Sequence, residues 1–121
     1  MFGFLKNKDF TFGAQRLTPI REDFPDENFL QNNRVIVDIR DKESIEELGV
    51  YPNSEFIKFD KDFVDEVKKL NQSVYVLCEK GVESFDATLL LQEAGVDAVN
   101  LNGGLYYIKE VINIKPKKIK I

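Results

Sequence analysis

Two stretches of the chain are apolar almost without a break. "RVIVDIR" places Val35, Ile36, Val37 and Ile39 in one run, and "VYVLC" does the same with Val74, Tyr75, Val76 and Leu77. Short runs of this kind, rich in β-branched residues, suit strands covered on both faces. Helical spacing follows each. After the first, "DKESIEELG" sets Ile45 and Leu48 three apart, offers Asp41 as N-cap, can pair Lys42 with Glu46, and ends at Gly49. After the second, the helix from Ser84 repeats Ala87, Leu90, Leu91 and Ala94 at i, i+3, i+4 and i+7. Phe85 and Leu89 lie on a neighbouring stripe, so this helix is expected to be buried on more than one side until Gly95 stops it.

Weaker patterns fill the intervals. "EFIKF" alternates Phe56, Ile57 and Phe59 with charge as a short strand does, and "DKDFVDEVKKLN" then spaces Phe63, Val67 and Leu70 helically behind Asp60 or Asp62. "AVNL" reads as a further brief strand, "NGG" as a turn and "LYYIKEVI" as a last helix. In the polar and aromatic lead-in, Pro19 and Pro25 interrupt the chain, and Asp26 can cap a short helix ending near Asn32 or Asn33. Alternating β and α elements predict an α/β fold with a mostly parallel sheet and helices on both faces. The expected organisation is a single domain: a lead-in over 1–33 that packs on it, a core over 34–112, and a basic C-terminal tail over 113–121.

Composition narrows the chemistry chiefly by what is missing. The 121 residues contain no histidine and one cysteine, Cys78, which excludes a Ser-His-Asp triad, a Cys-His pair, a zinc site of thiolate and imidazole, and an intramolecular disulfide. No metal or other cofactor is expected. A net charge of -4 disfavours nucleic-acid binding, which depends on neutralising phosphates. No apolar run approaches the roughly 18 residues of a membrane span, so a cytoplasmic protein is expected. The tail is the exception to the acidic balance: "NIKPKKIKI" carries Lys115, Lys117, Lys118 and Lys120 with no acid, as an edge strand or solvated tail would. Phe2, Phe4 and Leu5 suit either packing or an interaction patch.

Reactive groups in open parallel sheets gather beyond the carboxyl ends of the strands. One apolar strand closes on Asp38 and Arg40 and the other on Cys78, so central placement of both is expected to bring Asp38 and Arg40 towards the thiol. The turn Glu79, Lys80, Gly81, Val82, Glu83, with Ser84 opening the helix, can curl so that its amides face inward. A helix start adds its positive end. That is a cradle for a sulfur anion, the reactive form of cysteine. Gly103 and Gly104 read as a tight turn required for backbone reasons alone.

Three segments together resemble the rhodanese-like domains. "VIVDIRDKESIEELGVYPNSEFIKFD" is similar to that family's Asp-Val-Arg segment, helix, Pro turn and strand; "VYVLCEKGVES" resembles its Cys-x-x-Gly-x-Arg-Ser loop; "LLQEAGVDAVNLNGG" resembles its helix, strand and Gly-Gly turn. The resemblance spans about residues 34 to 110 and implies a three-layer fold. It further implies a sulfurtransferase or persulfide carrier in which Cys78 accepts a sulfane sulfur, Glu79 to Ser84 form the active-site loop, and Asp38 and Arg40 support it. The partners implied are a small sulfur donor or a protein persulfide, and a thiol or other nucleophilic acceptor. A catalytically inactive binding module is the alternative.

Departures from the family pattern sharpen the expectation. Val50 stands where the turn often has histidine, Ile108 near the usual tryptophan, and Glu83 where many members have arginine. With Glu79 and Glu83 against Lys80, the loop side chains sum to -1. At an effective dielectric near 20, one charge about 6 Å from the sulfur is felt at roughly 2 to 3 kcal/mol, less if exposed. A dianion such as thiosulfate is therefore disfavoured against a protein persulfide or a small cationic one. The five residues between Cys78 and Ser84 match the family's sulfurtransferase loop, and the missing arginine argues against phosphatase chemistry.

Overall fold

The computed structural model of the chain describes residues 24–119. Phe2, Phe4, Leu5 and Pro19 of the lead-in, and Lys120 at the other end, lie outside the described residues. Four strands, β1 (Val35–Asp38), β2 (Ser54–Phe56), β3 (Val74–Leu77) and β4 (Ala98–Asn100), form one sheet in the order β2-β1-β3-β4. Every pairing is parallel. Between the strands lie α1 (Lys42–Leu48), α2 (Phe63–Lys68) and α3 (Glu83–Glu93), and after β4 comes α4 (Gly104–Tyr106), which continues as a π-helical turn over Tyr107–Val111.

The two apolar runs become the central strands because they alone have partners on both edges and cover on both faces. Alternate residues divide between two cores. Val35, Val37 and Ile39 of the first run, with Val74 and Val76 of the second, face α2 and α3 through Phe63, Val67, Ala87 and Leu91. Ile36 and Leu77 face the opposite way, against Phe29, Tyr51, Leu101, Leu105 and Ile108, with Leu48 of α1 packed alongside. Each fully buried aliphatic or aromatic side chain contributes about 1.5–3 kcal/mol, so both layers are needed to hold the sheet.

Local chemistry sets the element ends. Asp41 Oδ1 accepts from the Ser44 amide at 2.9 Å and caps α1, while Gly49 closes it at φ +93°. A Cβ on Gly49 would sit 2.6 Å from the Lys117 carbonyl oxygen. That close approach lets Val50 and Lys117 exchange two backbone hydrogen bonds of 2.8 and 2.7 Å, which tie the basic tail to the domain. Tyr51 Oη donates to the Ile114 carbonyl at 2.6 Å; burial pushes its phenol well above the ordinary range, with Arg40 opposing. Asp97 is held below the usual carboxylate range chiefly by the Ser73 hydroxyl and further by Arg34, which steady the start of β4 against β3.

Several expectations are corrected. Asp26 caps no α-helix: its side chain accepts from the Asn28 amide, and only a 3-10 turn, Phe29–Gln31, follows. Phe29 is the only fully buried residue of that turn, with Leu30 partly packed beside it. Strand β2 starts at Ser54 and ends at Phe56, leaving Ile57 and Phe59 in the segment after it. Helix α3 buries one side, through Ser84, Ala87, Thr88 and Leu91, while Leu90 is 45% exposed, because among the described residues its outer face is left uncovered.

The densest polar feature of the core is an ion pair. Arg40 Nη2 lies 2.7 Å from Asp38 Oδ2 with both side chains inaccessible to solvent, and the same nitrogen donates to the Gly49 carbonyl at 2.7 Å. Removing one member strands the other charge in the core, which costs about 3–5 kcal/mol. Asp38→Asn is therefore expected to lower the urea midpoint by that amount of stability, as measured by equilibrium denaturation.

Candidate functional site

Strand β3 ends at Leu77 and α3 begins at Glu83, so the chain must turn within residues 78–82. Gly81, at φ +87°, takes the left-handed step that curls the turn around the thiol. The Gly81 amide then lies 3.1 Å and the Ser84 amide 3.4 Å from Cys78 Sγ. The thiol donates to the Ser84 hydroxyl at 3.2 Å; once ionised, sulfur accepts from the same hydroxyl. Cys78 is 4% exposed and Ser84 is fully buried. Ser84 is thus not the cap of α3 that its position suggests. Val82, whose apolar side chain can make no capping bond, holds that place, and the Ser84 hydroxyl is engaged by sulfur.

A second turn braces the first. Strand β4 pairs with β3 so that Asn100 lies opposite Val76, and the chain leaving β4 arrives beside the chain leaving β3. The Leu105 amide donates to the Cys78 carbonyl at 2.9 Å and the Tyr106 amide to the Glu79 carbonyl at 3.0 Å. Asn100 Nδ2 reaches the Gly81 carbonyl at 3.2 Å and also Asn102 Oδ1 at 2.7 Å. Contact is so close that a Cβ on Gly104 would fall 2.5 Å from the Glu79 oxygen and 2.6 Å from the Cys78 oxygen, and one on Gly81 2.6 Å from the Gly103 nitrogen. Gly103 and Gly104 therefore do more than turn the chain: they admit the thiol loop. Asn100 and this glycine pair went unidentified as site residues in the sequence, where the Gly-Gly dipeptide after a strand was the available signal.

Cys78 opens on a cup of about 450 Å³ walled by Asp41, Glu79, Lys80, Val82, Glu83 and Tyr106. Lys80 Nζ lies 5.9 Å from the centre of the Tyr106 ring, so both form one side of the mouth. Glu83 is exposed on the rim. Among the described residues, Asp41, Glu79 and Glu83 take part in no ion pair. The three also wall a larger groove of about 760 Å³, which extends over Ile45, Phe56, Ile57 and Phe59.

Asp38 and Arg40 do not join the cup as expected. They border the groove instead, since the Arg40 guanidinium is held by the Asp38 carboxylate and by the Gly49 carbonyl at the end of α1. Val50 is occupied by its pairing with Lys117, and Ile108 is fully buried in the core. Among the described residues no group of three or more His, Cys, Asp or Glu is placed to hold a metal ion, and no helix is long and apolar enough to cross a membrane.

The family model described as the rhodanese-like domain matches residues 26–111. Among solved structures, SSP1007 from Staphylococcus saprophyticus subsp. saprophyticus superposes with a TM-score of 0.55 at 26% identity, over 79% of this chain and 88% of that one. Reduced Bacillus anthracis CoADR-RHD gives 0.58 at 20% identity over 68% of this chain and 15% of that one, a likeness of fold. A rhodanese-like domain protein from Staphylococcus aureus gives 0.49 at 29% identity, over 65% and 78% of the two chains. No curated protein matches the chain significantly.

The bracing contact can be tested against backbone strain alone. Gly95 also has positive φ, at +89°, but a Cβ there meets nothing within 4 Å. Gly95→Ala is expected to cost about 1–2 kcal/mol and to leave Cys78 alkylation unchanged. Gly104→Ala should destabilise by more than this and expose the thiol, giving faster alkylation by iodoacetamide than in the parent protein.

Proposed function

Because the chain belongs to the rhodanese-like domain family, we propose that Cys78 is its sulfur-carrying nucleophile. It takes a sulfane sulfur from a persulfide donor and passes it to a thiol or other nucleophilic acceptor. The observation that carries this reading is the convergence of the Gly81 and Ser84 amides and the Ser84 hydroxyl on Sγ at the floor of an open cup. Three donors around one sulfur stabilise negative charge there without an imidazole. A binding module without chemistry has no use for that arrangement, which favours a working thiol over the inactive alternative.

Each half of the transfer is redox-neutral. The Cys78 thiolate attacks the outer sulfur of R–S–SH; the Cys78 S–S bond forms as the donor S–S bond breaks, and the departing R–S⁻ takes up the proton that Cys78 released. In the second half an acceptor thiolate attacks the outer sulfur on Cys78, leaving A–S–SH and the Cys78 thiolate. Over both steps one sulfur atom moves from R–SSH to A–SH, giving R–SH and A–SSH. The amides that hold Sγ support it as nucleophile in the first half and as leaving group in the second.

The rim governs which donor arrives. Glu79 and Glu83 lie on the cup wall against Lys80, so the approach favours a neutral or cationic persulfide over the thiosulfate dianion. Incubation with a persulfide donor is expected to add one sulfur to the intact mass, removable by reductant and absent in Cys78→Ser. Failure with several donors, or uptake that survives Cys78→Ser, contradicts the reading. For the rim, Glu83→Arg should raise the thiosulfate rate about tenfold or more at low ionic strength, far less at high salt, and little for a cationic persulfide. An equal rise for every donor would remove the rim from the account.

A further inference from the structure

The large groove beside the cup has a floor that the reaction at Cys78 does not use. Phe56, at the end of edge strand β2, is 51% exposed, and Ile45, Ile57 and Phe59 lie half-buried around it. Aromatic and aliphatic surface lining a cavity is the usual composition of a binding site. Its charge is net negative where it meets the cup, three carboxylates standing against Lys80 on the cup side. Asp38 is neutralised by Arg40, and Glu46 lies 3.6 Å from Lys42, whereas Asp41, Glu79 and Glu83 have no ion-pair partner among the described residues. Lys58 is the remaining cation on the groove wall.

The chain's own tail borders this surface. Within the tail, the segment "KKI" is anchored by the Val50–Lys117 pairing, and Ile119 contributes to the groove wall with Lys117 and Lys118 exposed beside it. An aliphatic residue next to lysines thus forms part of the groove wall, and Phe56 on the same wall stays exposed. About 760 Å³ lies towards the upper end of the roughly 300–1,000 Å³ typical of ligand sites, more than a small cationic persulfide fills.

We propose that the groove docks an extended segment of the protein that delivers sulfur to Cys78, one that sets an apolar side chain on Phe56, Ile57 and Phe59 and a lysine or arginine against Asp41, Glu79 and Glu83. This rests on the reading of Cys78 as a sulfur carrier and names the class of its donor. The cup and groove share those three carboxylates as a common wall, so a segment held there presents a neighbouring cysteine persulfide to the thiol. An acidic segment, or an anionic small donor, meets the same wall with the wrong sign.

The test separates docking from chemistry by using Cys78→Ser, which carries no reactive sulfur, so a negative result leaves the sulfur-loading experiment standing. A labelled synthetic peptide with an isoleucine and a serine set among lysines is titrated by fluorescence anisotropy. Saturable binding is expected, weakened about tenfold or more when the lysines are replaced by glutamates. In the same background Phe56→Ser should weaken binding by a similar factor, and the Glu79→Gln, Glu83→Gln double variant should lower both affinity and its dependence on salt. In the otherwise native protein, Phe56→Ser should leave the rate with a small persulfide unchanged. Retained circular dichroism verifies that each variant is folded. No saturable binding, equal binding of the acidic peptide, or indifference to Phe56→Ser in the folded protein overturns the proposal. Displacement of the peptide by lysine amide at equal concentration also overturns it, because a single cation would then suffice.

Discussion

The site depends on a contact between two stretches of backbone with no side chain between them. Gly81 abuts the nitrogens of Gly103 and Gly104, and Gly104 abuts the carbonyls of Cys78 and Glu79, at separations that exclude a Cβ. Parallel pairing of β3 with β4 makes the contact possible by ending both strands at one edge of the sheet. The amides of Leu105 and Tyr106 then hold the Cys78 and Glu79 carbonyls, and Asn100 holds that of Gly81. With its carbonyls fixed from behind, the thiol loop has its Gly81 and Ser84 amides directed at sulfur.

Short-range and long-range electrostatics do separate jobs around Cys78. Hydrogen bonds at 3.1 to 3.4 Å act on the sulfur itself and are shielded from salt by burial. The carboxylates of Asp41, Glu79 and Glu83 sit on the wall, where they act on whatever approaches and are screened over a Debye length of about 8 Å in physiological salt. A buried thiol can therefore be held by neutral dipoles independently of the charges around its mouth. The Asp38–Arg40 pair contributes to this from a distance: by tying β1 to the Gly49 end of α1, it steadies the helix whose cap, Asp41, stands on the rim.

What could be read from the sequence follows the range of the forces involved. Strands β1 and β3 were legible because burial on both faces demands an unbroken apolar run, and α1 because Asp41 and Gly49 act within one helix. The Cys78 loop was legible for the same reason: its glycine and serine lie within six positions of the sulfur they serve. Asn100 was not, since its partner Gly81 lies 19 residues away and only sheet register brings them together. Arg40 misled because strand order places it near the thiol, whereas the Asp38 carboxylate and the Gly49 carbonyl decide where its guanidinium goes. Leu90 misled because a helical repeat shows which residues share a face, not whether anything covers it.

The claim on which the rest turns is that the Gly81 and Ser84 amides are engaged by the Cys78 sulfur. Site-resolved amide hydrogen exchange, compared between the parent protein and Cys78→Ala, tests it most directly. The account predicts that exchange at Gly81 and Ser84 accelerates when the sulfur is removed, while Leu105 and Tyr106, bonded to the Cys78 and Glu79 carbonyls, keep their protection. Unchanged rates at Gly81 and Ser84, or a loss of protection spread evenly across both turns, would contradict it.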